Sequence, residues 1–223
     1  MIKQLAFVGA LTGAFLMTYK FCKKKGYTSG VSYCIVHVAA NTMVLAQILP
    51  DMKLYLTDPT NVGILTWCSE YPHLVTVATH LCHFIVGMSG IRFSELFHHI
   101  GAISFVIIMY LTQYKTVLLN NALFFQFGLP GLIIYMLTIF RSLNIISKEA
   151  EKSICKNVNF WFRLPGLMSI VTIGLINVSK MTNMSHIIFS STMLAYAFWN
   201  GIYWTIDSVN SENKLLFEKQ KMN

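Results

Sequence analysis

The stretch "TVLLNNALFFQFGLPGLIIYMLTIF", residues 116–140, carries no charged side chain. A helix needs about 20 mostly apolar residues to cross a bilayer, and this stretch exceeds that length. The rest of the chain repeats the pattern. Of 223 residues, 55% are hydrophobic and 12% charged, with mean hydropathy +0.56. Soluble domains carry about a quarter charged residues, so the deficit indicates a surface largely covered by lipid. The expected fold is all-α: a polytopic membrane helical bundle in one compact domain.

Hydropathy predicts seven spans, at about residues 4–21, 31–50, 70–91, 96–112, 116–140, 157–178 and 186–206. The first resembles a signal peptide, but no small-residue cleavage site precedes "CKKKG" (22–26), and the lysines follow the apolar run rather than lead it. That is the pattern of a retained anchor. The cysteines, Cys22, Cys34, Cys68, Cys82 and Cys155, form no CxxC pair, and their odd number argues against a disulfide framework. They read as small apolar fillers.

The net charge of +8 would suggest nucleic acid in a soluble protein, but no basic face with interleaved aromatics occurs. The basic residues sit between spans, where they set topology. Lys20, Lys23, Lys24, Lys25, Arg92, Arg141, Lys148, Lys152, Lys156, Lys214, Lys219 and Lys221 fall on one side; Lys3, Lys53, Lys115 and Lys180 fall on the other. This bias predicts a cytosolic C-terminus and a lumenal N-terminus. The sequons at Asn177 and Asn183 fall at the predicted lumenal ends of spans six and seven. The closing "KQKMN" resembles the dilysine retrieval signal of endoplasmic reticulum membrane proteins, with Lys219 and Lys221 offered to a coat protein; a solvated lysine-rich tail has the same composition. The loop "RSLNIISKEAEKSICKN" is too short to fold alone, and no internal repeat is expected.

Ionisable groups inside spans are costly and mark candidate sites. His98 and His99 open the fourth span, with Glu95 three and four residues before them, in reach of either on a helix. Adjacent positions differ by about 100° on a helix, so one histidine is expected to face an interior cavity and the other a neighbouring helix or the interface. A carboxylate-oriented imidazole suits general-base or nucleophilic chemistry; a pair of histidines snorkelling to the interface is the plainer reading. His37, Asn41 and Gln47 lie in span two, His80 and His83 on one face of span three, and Asn120, Asn121 and Gln126 in span five. Arg163 lies in span six and Asn200 in span seven. The amides read as interhelical hydrogen-bond glue. Pro130 and Pro165 are expected to free the carbonyls of Gln126 and Trp161.

"HLCH" (80–83) together with "HH" (98–99) loosely resembles membrane di-iron enzymes. Those need several HxxHH-like clusters, and ligating carboxylates are scarce here, so no metal and no cofactor is expected. A retinal protein would need a lysine deep in the last span, which has none. Repeated halves or matched helix interruptions, the mark of many transporters, are not expected either.

The order and spacing of these residues resemble the TLC-domain family, which includes ceramide synthases, translocon-associated membrane proteins and lipid-regulating membrane proteins. The resemblance covers about residues 30–207. "FHHIGAISFVIIMYLTQY" is similar to the family's paired-histidine helix. "FFQFGLPGLIIYMLTIFRS" is similar to the next helix of the non-synthase branch, with Pro130 and Arg141 matching. "FWFRLPGL" is similar to the arginine-bearing helix, with Arg163 the counterpart. "FWNGIYWTID" is similar to the last helix, with Asn200 and Trp204 matching, and His37 resembles an early histidine. Gln126 stands where the family has an acidic residue, Gly128 replaces a serine, "ATHLCHF" lacks the aspartate often found before the paired histidines, and "NNALFFQF" replaces the synthases' aspartate-rich stretch. These departures place the chain nearer the non-synthase branch.

The resemblance implies a six-helix TLC-like barrel over residues 31–207, an N-terminal transmembrane anchor and basic cytosolic loop over 1–30, and a cytosolic tail over 208–223. It implies binding of membrane lipid or acyl chains, through His37, His83, Gln126, Arg163, Asn200 and Trp204, and an influence on lipid homeostasis from the endoplasmic reticulum. The alternative is an acyl-CoA-dependent N-acyltransferase resembling ceramide synthase, with acyl-CoA as substrate, a sphingoid base or other amine as acceptor, and His98, His99 and Glu95 as catalytic residues. A second alternative is an early secretory pathway cargo receptor or structural partner.

Overall fold

The computed structural model describes residues 2–66, 69–87 and 93–221, and every regular element among them is helical. The expectations placed on Cys68, Arg92 and the last two residues of "KQKMN" lie outside the described residues. The helices are α1 (Ile2–Lys24), α2 (Ser29–Thr57), α3 (Tyr71–Val86), α4 (Phe93–Thr112), α5 (Val117–Leu123), α6 (Leu129–Ser142), α7 (Lys148–Val158), α8 (Leu164–Val178) and α9 (Met184–Gln220). A π-helical turn, Phe124–Gly128, joins α5 to α6, and a second, Asn159–Arg163, joins α7 to α8.

Five segments are long and apolar enough to cross a membrane: residues 2–24, 29–57, 95–112, 117–142 and 148–178. The predicted third and seventh spans coincide with α3 and α9 but do not meet that measure. The 16 residues of α3 reach about 24 Å at 1.5 Å per residue, against a hydrocarbon core of about 30 Å. α9 has ample length at 37 residues, but its serines, threonines and asparagines dilute its apolarity. The polarity runs inside-in: Asn41, Asp51, Thr79, Asn120, Asn121, Asn177 and Asn200 are buried, while Ile2 (82% exposed), Leu111 (78%) and Trp161 (73%) face outward. That distribution suits a chain whose exterior meets hydrocarbon.

Hydropathy misplaced two boundaries. The predicted loop after Arg141 holds a helix. Ser147 caps α7 by accepting from the Ala150 amide at 3.1 Å, and Glu149 and Glu151 sit in the first turn, where the helix dipole favours anions. The predicted tail from residue 208 continues as α9 to Gln220, and Lys156 of α7 holds it through Glu212 at 2.7 Å. Cys22, Cys34, Cys82 and Cys155 are free and buried.

Helix neighbours run from α2 to α3, α3 to α4, α4 to α9, α9 to α7 and α8, α7 to α6, and α6 back to α2. α1 lies outside that circuit, against α2 and α3. At one end of the bundle Glu70, the residue before α3, accepts from Gln4 of α1 at 2.9 Å and Tyr110 of α4 at 3.0 Å, and pairs with Lys115 at 3.5 Å. At the same end Asn177 of α8 accepts from the Gly63 amide at 3.2 Å and donates to the Ile173 carbonyl at 2.8 Å.

A Cβ on Gly63 would lie 2.5 Å from Asn177 Cβ and Cγ, so glycine is what lets the loop reach this side chain. Asn177 is 0% exposed, whereas Asn183 is exposed and caps α9. Asn177→Ala is therefore expected to cost about 1–3 kcal/mol by orphaning a buried amide, seen as a lower unfolding temperature in detergent. Any glycan removed by an endoglycosidase is expected to map to Asn183 and to persist in Asn177→Gln. A glycan lost only in Asn177→Gln contradicts this.

The two π turns overturn the expectation of no repeat and no matched interruption. Residues 125–132 (FQFGLPGL) and 160–167 (FWFRLPGL) share the pattern F-x-F-x-L-P-G-L. In each the proline lacks the N–H for an ordinary helical bond, and the preceding leucine amide reaches five residues back: Leu129 to the Phe124 carbonyl, Leu164 to the Asn159 carbonyl. The expected release of carbonyls at Gln126 and Trp161 thus takes the form of a one-residue widening. The glycines receive large neighbours. A Cβ on Gly131 would lie 2.7 Å from Asn41 Nδ2, and one on Gly166 would lie 2.1 Å from the Phe125 ring. Phe125 and Phe162 then pack at 5.5 Å between ring centres.

Candidate functional site: a histidine-lined chamber

A cavity of about 540 Å³ is lined from α2, α3, α4, α6, α7, α9 and both π turns. Its walls include His37, His83, Glu95, His98, His99, Gln126, Arg163 and Trp204, eight of the nine residues nominated from sequence. The ninth, Asn200, lies behind the wall and contacts His98 Nδ1 at 2.9 Å. Sequence reasoning gave no role in the site to Tyr33, Tyr135, Glu151, Asn159 or Asp207, and weighed His80 only as a face-mate of His83 and as part of a metal motif it set aside.

The wall is built in three parts. On the α2 side, His37 stacks on Tyr135 of α6 at 3.9 Å and lies 4.6 Å from the His83 ring, while the Tyr33 hydroxyl meets His83 Nδ1 at 3.3 Å. Both nitrogens of His37 and Nε2 of His83 have no protein partner. At the end beside α7, Glu151 is 3% exposed; it accepts from Thr138 at 3.1 Å and from Arg141 Nε at 3.2 Å. The second π turn supplies Arg163, which donates to Asn159 Oδ1 at 2.6 Å and leaves Nε unpaired. Trp161 of the same turn faces outward, so in the two matched octapeptides Gln126 and Arg163 are the variable positions turned to the chamber.

The third part is the histidine pair. The expectation that only one of His98 and His99 faces a cavity does not hold: both line this one. Their rings still diverge. His99 turns to α3, where its Nδ1 meets His80 Nδ1 at 2.6 Å; His98 turns to α9, where its Nδ1 meets Tyr196 Oη at 3.1 Å and the Asn200 amide at 2.9 Å. Glu95 lines the same chamber.

As placed, the Asn200 amide nitrogen would donate to His98 Nδ1; turning that amide gives the other tautomer. Tyr196 Oη donates to the His98 backbone carbonyl at 2.9 Å, so in that second tautomer it accepts from His98 Nδ1–H. With the Asn200 amide turned by half a rotation, Oδ1, otherwise buried without a partner, accepts from the same N–H. His98 Nε2 then carries the lone pair.

A smaller apolar slot of about 60 Å³ shares His80, His98, Gln126 and Phe127 with the chamber and runs on between Phe105, Met109, Leu119, Phe189 and Met193. The apolar slot thus lies against the polar chamber, with these four side chains between them.

Fold and site together define an all-helical protein with several membrane-length helices and a buried histidine-lined chamber. Compared with protein-family models, curated proteins and solved structures, the chain matches none.

Proposed function

We propose that the chain is an integral membrane protein that binds a lipid or acyl chain within a barrel of six helical rods, α2, α3, α4, α5–α6, α7–α8 and α9, and so influences membrane lipid composition. The observation that carries this reading is the polar chamber with an apolar slot beside it, because an amphiphile needs both. A chamber of about 540 Å³ falls within the range of small-molecule sites, about 300–1,000 Å³. The resemblance of the paired-histidine, arginine-bearing and last helices to the TLC-domain family points the same way. The basic residues near the chamber, Lys152 of α7 and Arg141 of α6, belong to the lysine-rich side of the chain, so the chamber opens to the cytosol of an endoplasmic reticulum protein whose N-terminus is lumenal.

Lipidomics tests the proposal. Membranes with and without the protein are expected to differ in one lipid class, and that class is expected to co-purify with the chain. Identical lipidomes together with no enriched co-purifying lipid would contradict it.

Acyl transfer is the second reading, and it rests on the tautomer of His98 with the proton on Nδ1. Nε2 would attack the thioester carbonyl of an acyl-CoA and the CoA thiolate would leave. An amine would then take the acyl group from the imidazole and give up a proton. Labelled acyl-CoA supplied with a sphingoid base separates the readings: transfer abolished in His98→Ala supports the enzyme, and bound lipid without turnover supports the binding protein.

A further inference from the structure

We propose that His80, His98 and His99 form a binding site for one first-row divalent cation, with zinc the best match. One ring nitrogen from each of the three lies within 4.8 Å of the others. Expectation from sequence went against a metal because it counted motifs along the chain. Here the ligands come from two helices, one histidine from α3 and the adjacent pair from α4, so no linear HxxHH motif is required.

The ring geometry supports coordination. Zinc binds imidazole nitrogen at about 2.0–2.1 Å in a tetrahedron, which sets two ligand nitrogens roughly 3.3–3.4 Å apart. His80 and His99 already face each other Nδ1 to Nδ1 at 2.6 Å, so a shift of under about 1 Å opens that spacing. His98 is braced from behind: its Nδ1 is engaged by Tyr196 and Asn200, leaving Nε2 as the donor atom. Metal-bound histidines almost always spend their second nitrogen in this way, and the outer partner fixes the tautomer.

A second, independent observation points to a ligand. His80 is 1% exposed, and its Nε2 has no protein partner. A buried polar atom without a partner is costly, and an ion on Nδ1 offsets that cost with a strong bond at the ring's other nitrogen. The donor set is all imidazole, since Cys82 lies outside the group; that suits zinc, copper, nickel or iron rather than magnesium or calcium. Three histidines leave a fourth tetrahedral position, which faces the chamber, the arrangement of zinc sites that keep an open coordination place. The site stands without the lipid reading, since the ion needs only the three rings.

The test uses the full chain purified in chelator-free detergent. Elemental analysis is expected to give about one zinc per chain, either as purified or after zinc addition and gel filtration. Cobalt in place of zinc is expected to give the visible bands of a tetrahedral ion. His80→Ala, His98→Ala and His99→Ala should each lose the metal, while His37→Ala, in the same chamber but outside the triad, should keep it. His80→Gln and His98→Gln, which hold an amide in the ring's place, guard against collapse in the alanine variants, and all are compared as monodisperse protein. Wild-type protein that takes up neither zinc nor cobalt overturns the proposal. So does metal retained in a His98→Ala/His99→Ala double variant. Equal loss in His37→Ala and in the triad variants overturns the assignment to these three rings.

Discussion

Gly166→Ala is expected to lower stability by about 1–3 kcal/mol, the range for overpacking a tight core, and to do so more than alanine at Gly9 or Gly13. A Cβ at Gly166 would meet Phe125 Cδ1 at 2.1 Å and Cγ at 2.5 Å, whereas one at Gly9 or Gly13 meets nothing within 4 Å. The Phe125 ring has little room to retreat: Phe124 packs at 5.1 Å, Phe162 at 5.5 Å and Tyr55 at 6.4 Å. The clash falls where the two π turns meet, so the damage should reach the chamber through Gln126 and Arg163. Thermal unfolding in detergent measures the first effect; a Gly166→Ala protein as stable as wild type would show that Phe125 is free to move. Phe125→Leu in the same chain should recover part of the loss by clearing the space, an interaction that a double-mutant cycle reads directly.

The second large effect is expected at the histidine pair. His98→Ala removes a chamber wall and strands the Asn200 amide, while Tyr196 Oη keeps its bond to the backbone carbonyl. Asn200 is 0% exposed, and buried groups left unpaired cost about 1–3 kcal/mol each. His99→Ala strands His80 Nδ1. For a ligand seated in the chamber, losing one or two net hydrogen bonds corresponds to about a tenfold fall in affinity. Lipid retained per chain through detergent exchange is the readout. Retention unchanged in the double variant would remove the histidines from the binding site.

Much of this was legible from residue type and depth. A charge-free stretch over 116–140 and the scarcity of charge elsewhere announced helices long and apolar enough to cross a membrane. Histidine, arginine, glutamine and asparagine inside apolar runs are expensive enough to nominate themselves, and Gln126, Arg163 and the rest converge on one chamber. What failed did so for physical reasons. Hydropathy cannot see a polar helix, so α7, held by its Ser147 cap, read as a loop, and the end of α9, held by Lys156 and Glu212, read as a tail. Spacing along a chain says nothing about which helices touch, so the approach of His80 to His99 was hidden. The matched F-x-F-x-L-P-G-L octapeptides are visible in the letters, but they repeat a single turn rather than half of the chain.

Native mass spectrometry of the chain released from its own membranes is the decisive measurement. Wild-type protein is expected to carry one amphiphile. Ser211→Trp, which leaves every histidine in place but sets a large ring on the chamber wall, should release it, as should the His98→Ala/His99→Ala double variant. Wild-type protein that emerges with no retained molecule, or equal retention in all three, would contradict a lipid-binding chamber.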